Sequence, residues 1–133
     1  MTHATQLMIG ISLVTIPTII YGGLTVLWIV TNGAAGTHGP PALTDMQKSL
    51  YRAGHAHAGV LMLFGLLLQL FIDVAQLGTL EWPARLAAPA AVVLVSGGFF
   101  GLAHARAMRW LVYGGAFALA ACTIVVGVGM LGA

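Results

Sequence analysis

Charge is what this chain has least of: three acids, Asp45, Asp73 and Glu81, stand against five Lys and Arg in 133 residues, a charged share of 6%. A soluble domain carries about a quarter, so that class is excluded. With 59% hydrophobic residues and a mean hydropathy of +0.98, the chain belongs in a lipid bilayer. Its pI near 9.1 rests on scattered bases without a clustered basic patch, which excludes a nucleic-acid partner. Cysteine is almost absent too. Cys122 alone, inside an apolar run, leaves neither a disulfide framework nor a Cys-based zinc site, and reads as a small core residue. The methionines are dispersed from Met1 to Met130, so thioether ligands do not converge on copper. A basic n-region is also missing at the start, and the first apolar run is longer than a signal h-region, so it is expected to remain as a first span.

What is present is a set of long apolar stretches. Leu7 to Val30 contains no charge and exceeds the roughly 20 helical residues that cross a hydrocarbon core of about 30 Å. Pro17 is expected to kink this helix, and Gly22 and Gly23 thin it for a neighbouring backbone. The segment Thr31 to Pro41 has turn residues, two prolines and no periodicity, so it reads as a loop. Thr44 with Gln47 forms a capping-box pattern and Asp45 complements the helix dipole, which starts the second helix near Asp45. After a short turn, Trp82 reads as an interfacial anchor and Pro83 as a first-turn residue. Gly97 and Gly101 are expected to form a small-xxx-small contact in the third helix. The reading is an all-α integral membrane four-helix bundle, a single domain with helices over 6–30, 45–77, 83–105 and 108–131.

Four spans put Lys48, Arg52, Arg106 and Arg109 on one side and Arg85 on the other. The positive-inside rule then places the first side in the cytoplasm and both termini on the non-cytoplasmic face of the cell membrane. The same threading brings His38, His55, His57 and His104 towards one membrane face. An ionisable side chain at membrane depth is a functional hypothesis by default. His55 and His57 leave a regular helix on roughly opposite faces, so they do not ligate one metal together. Neutral imidazole is a common metal ligand and a single His can hold haem iron. Equally, His55 reads as an interfacial residue and His57 as a hydrogen-bonding partner for a neighbouring helix. Phe64, Phe99 and Phe100, with Phe71, suit either a porphyrin wall or ordinary core packing. Arg52, Arg106 and Arg109 suit propionates or an anionic substrate, but most such arginines mark the interface. Gln69 and Asp73 form a polar pair near the other end of the second helix, with Asp73 expected to be solvated.

A short first span, a Gly/Pro-bearing loop and then Ala56-His57-Ala58-Gly59 behind a basic residue resemble styrene oxide isomerase, a small four-helix membrane enzyme; Gly98-Phe99-Phe100 is similar to the family's Gly-Phe-Tyr stretch. The resemblance implies a homotrimer that binds haem b at the subunit boundary, with His57 as axial ligand; His55 and His104 are the alternates that the residues themselves offer. It implies ferric iron acting as a Lewis acid on a small apolar epoxide. The family's asparagine falls on Leu63 and its tyrosine on Phe100, so both polar groups expected to orient an epoxide are replaced. Of the two helix-2 histidines, His57 is expected to lie deeper, with Leu61 and Phe64 continuing its face, while His55 shares a rim position with Arg52. The rival expectations are a non-catalytic subunit or assembly factor of a larger membrane complex, and an electron-transfer haem protein ligated by His57 and His104.

Overall fold

A computed structural model describes residues 1–32 and 42–133. Four helices, α1 (His3–Asn32), α2 (Asp45–Val74), α3 (Glu81–Leu102) and α4 (Arg109–Leu131), form an all-α bundle, joined by 3-10 turns at Gly78–Leu80 and Arg106–Met108. All four are long and apolar enough to cross a membrane, and the chain is a multi-pass membrane protein. Apolar side chains dominate the outer surface because lipid, unlike water, does not drive them inward.

The helices begin and end for local reasons. At the start of α2 the Gln47 N–H donates to Thr44 Oγ1 at 3.2 Å, while the Thr44 N–H donates to Gln47 Oε1 at 3.0 Å, closing the capping box read from the sequence. Gln47 Nε2 also donates to the Ala103 carbonyl at 3.1 Å, tying the start of α2 to the end of α3. The far end of α2 stops at Val74, three residues short of Leu77, because Gln76 takes a left-handed φ of 48° and Gly78 follows at 56°. Pro83 sits in the first turn of α3, where its missing N–H leaves no helical bond unmade. Helix α1 runs unbroken through Pro17.

Helices α2 and α3 are the centre; α1 leans on α2, and α4 on α3. Their seam is built from small residues around Leu68, Ile72, Ala84, Ala88, Cys122 and Val126. The glycine contact differs from the expected pair. A Cβ on Gly97 would meet nothing within 4 Å, and one on Gly101 would meet only the Met108 side chain. The close approach is instead at Gly98, whose added Cβ would lie 2.8 Å from the Val112 backbone nitrogen, and at Gly115, 3.1 Å from that of Val95. The α3 face that meets α4 is therefore the one carrying Gly98, about 100° of helix from Gly97, whose own face is open within the single chain.

Candidate functional site

The two ends of the bundle hold the polar residues, and they hold them differently. At the end formed by the start of α1, the end of α2 and the start of α3, Arg85 is completely buried. Its Nη2 donates to Asp73 Oδ1 at 2.7 Å, its Nε to Glu81 Oε1 at 2.9 Å and its Nη1 to Thr5 Oγ1 at 2.8 Å. Thr2 closes the ring, its N–H donating to Asp73 Oδ2 at 2.9 Å, and Gln69 Nε2 donates to the Arg85 carbonyl at 2.9 Å. Asp73 is thus an ion-pair partner and only 14% exposed, in place of the solvated residue expected. Asp73 and Glu81 share the one guanidinium, so the buried cation has two anionic partners, and burial in a bilayer favours such pairing. The sequence carried two local signals for this cluster: the Gln69 and Asp73 pair, and Glu81 with Arg85 at i, i+4 spacing.

At the opposite end the histidines meet single neutral partners or none among the described residues. Tyr51 and His104 are brought together, hydroxyl to Nε2 at 2.9 Å, with the Tyr51 ring 5.7 Å from that of Phe100. His104 is thereby engaged at the level of Tyr51, about 9 Å along the α2 axis from His57, and does not face His57 within one chain. His38 lies outside the described residues. Arg109 lies 5.4 Å from the Trp110 ring centroid, and Arg106 is exposed, as suits bases at a membrane interface.

His55 and His57 leave α2 on different faces, as the spacing predicts, but their burial is reversed. His57 is exposed on the outside of the single chain, whereas His55 is half-buried against α1. The cause is Gly23: a Cβ there would lie 2.5 Å from both Cε1 and Nε2 of His55, so glycine alone admits the ring. Depth along a helix does not decide shielding; the facing residue does. Gly54 plays the matching part towards α3, where an added Cβ would sit 3.1 Å from the Ser96 carbonyl oxygen and 3.2 Å from the Phe100 ring. Ser96 Oγ itself is buried without a hydrogen-bond partner among the described residues.

The geometry of His57 has a chemical consequence. Its Nδ1 lies 2.7 Å from the Ala53 carbonyl oxygen, and since a carbonyl only accepts, Nδ1 must carry the proton. In the neutral ring that leaves Nε2 with its lone pair available, the tautomer a metal-ligating histidine needs. The Phe99 ring stands beside it, centroids 4.9 Å apart. Phe64, farther along α2, is exposed like His57, whereas Leu63 lines the α1 side together with His55. Arg52 also lies on that side, so it shares the surroundings of His55 and is separated from the His57 face. Among the described residues no group of three or more His, Cys, Asp or Glu converges to hold a bare metal ion. A haem needs only one such ligand, and the donor, its tautomer and the flanking aromatic ring fit that requirement. No family model matches the chain, and no curated protein or solved structure matches it.

Proposed function

We propose that this protein binds haem b at the outer face of α2, where His57 Nε2 would hold the iron. The observation that carries the reading is the Nδ1 bond to Ala53, which fixes the ligating tautomer on a side chain otherwise left exposed in an apolar surface. An imidazole turned towards lipid is unfavourable unless something polar meets it. A homo-oligomer, trimeric by the resemblance, supplies the second wall, with Phe99 already in place on this chain. Lys48, Arg52, Arg106 and Arg109 orient this end to the cytoplasm and the termini to the other side of the cell membrane.

Bound haem supplies a ferric Lewis acid able to draw electron density from an epoxide oxygen, and isomerisation of a small apolar epoxide is the reaction we assign to it. Haem binding is supported by the His57 geometry; the isomerase step rests on the resemblance alone. On this chain His57 holds and orients the group, Phe99 flanks it, and the apolar face excludes water. Leu63 and Phe100 offer no hydrogen bond to an epoxide, so orientation of the substrate differs from that of styrene oxide isomerase.

The test is an absorption spectrum of the protein purified in detergent after expression with ample haem supply. A Soret band is expected, abolished by His57→Ala and largely retained in His55→Ala and His104→Ala. Loss in His55→Ala alone moves the ligand to the α1 face. A low-spin spectrum that also requires His104 replaces the open Lewis-acid site with electron transfer. A colourless protein that co-purifies with other membrane subunits replaces haem binding with a structural role. Turnover of styrene oxide, absent from His57→Ala, tests the isomerase step separately.

A further inference from the structure

Among the described residues a concavity lies away from His57. It is a groove of about 660 Å³ between α1 and α2, walled by apolar side chains including Ile16, Ile20, Leu24 and Leu63, and His55 is its one ionisable lining residue. A second cavity of about 360 Å³ adjoins it, sharing Gly23, Leu27 and His55 and adding Thr31 and Arg52. The two form one track: an apolar channel below, an imidazole at the neck and a guanidinium at the upper end. Thr31 and Arg52 lie near the loop-side ends of their helices, so this upper end points out of the hydrocarbon.

The polar groups along this track are uncommitted. His55 forms no hydrogen bond among the described residues, unlike His57 and His104. Arg52 forms no ion pair among them: Asp45 meets Lys48, while Asp73 and Glu81 are both held by Arg85. Helix α1 brings no acid to the groove. A donor and a cation above an apolar channel are complementary to a molecule that is anionic at one end and hydrocarbon along its length. The planar fork of a guanidinium matches a carboxylate in particular, and the lining below it is apolar from Gly59 to Leu63, as a hydrocarbon tail requires.

We propose that the α1–α2 groove is a binding site for a single-chain amphiphile with a carboxylate head, such as a long-chain fatty acid. Its head is bound by Arg52 and His55, and its tail runs past Gly59 towards Leu63, about 12 Å along α2 from His55. Gly23 makes the site by letting the His55 ring settle against α1. The proposal is independent of the haem reading, because His55 and His57 leave α2 on different faces.

A diazirine analogue of palmitic acid tests it on the full chain in detergent micelles. Labelling is expected on the α1 and α2 peptides, displaced by excess palmitate and not by hexadecanol or phosphatidylcholine. Arg52→Gln is expected to weaken palmitate competition about tenfold, the loss of one charge-assisted hydrogen bond. Gly23→Ala should expel the His55 ring and weaken binding as well. Because that change touches a helix contact, Ile20→Trp, which fills the groove from an exposed position, serves as the second variant and should abolish labelling while thermal stability holds. Displacement by phosphatidylcholine or hexadecanol as effective as that by palmitate overturns the proposal in favour of an ordinary lipid-facing surface. Unchanged binding in Arg52→Gln and Ile20→Trp overturns it too, as does loss of the Soret band in His55→Gln, which would make the groove the place of the haem.

Discussion

Arg85 and His57 are both polar residues in a chain with very few, and the bundle treats them oppositely. Arg85 has no exposed surface and donates to three helices' worth of acceptors, whereas His57 is exposed and bonds only the carbonyl one turn before it. The difference separates two reasons for placing a polar group in a membrane. A saturated group fastens helices together. A group whose lone pair meets no donor among the described residues fastens nothing there, and under the haem proposal it is the one left to bind.

The largest effect that could break this contrast is on stability. Arg85→Met would leave Asp73 without its guanidinium in a partly buried site, and removing one partner of such a pair costs about 3–5 kcal/mol. Thermal unfolding in detergent should show that loss. His57→Ala, at an exposed position, should change stability by about 0.5 kcal/mol or less in the haem-free protein. Similar unfolding behaviour in the two variants would remove the distinction between a fastening and a receiving end.

The same division runs through neighbouring glycines of α3. Gly98→Leu must push a side chain into the α4 backbone at Val112, an overpacking cost of about 1–3 kcal/mol, while Gly97→Leu meets open space. Gel filtration and unfolding of both variants check this. If Gly97→Leu keeps monomer stability but disrupts the oligomer, its open face is where copies meet; if neither property changes, that face is lipid-exposed.

The sequence reveals the fold more fully than the site, for reasons that particular residues make plain. The spans were legible because chain length and apolarity alone determine whether a helix crosses a bilayer, and the start of α2 because Thr44 and Gln47 are close in sequence. The end of α2 was not, since Gln76 in a left-handed conformation is unusual for a residue other than glycine. The Arg85 cluster joins Thr2 and Thr5 to residues about seventy or eighty positions away, and only the Glu81–Arg85 and Thr2–Thr5 contacts within it are local. The separation of His55 from His57 followed from helical geometry. Their order of burial did not, because it depends on Gly23 of another helix.

Ser96 offers the smallest and most discriminating test. Its hydroxyl is buried without a partner among the described residues, in the half of the bundle that also carries His55 and His57, packed where Gly54 of α2 approaches the Ser96 carbonyl. An unpaired buried polar group costs about 1–3 kcal/mol, so Ser96→Ala, which removes the hydroxyl and little volume, should leave stability unchanged or raise it by about 1 kcal/mol. The corresponding removal of a hydroxyl at the other end, Thr5→Ala, takes an acceptor from Arg85 and should destabilise. Opposite signs for these two substitutions, read from melting temperatures under one set of conditions, are expected if one end is saturated and the other left open. A marked loss in Ser96→Ala would mean that its hydroxyl is bonded in the assembled protein, and the open end would then be confined to the histidines and Arg52.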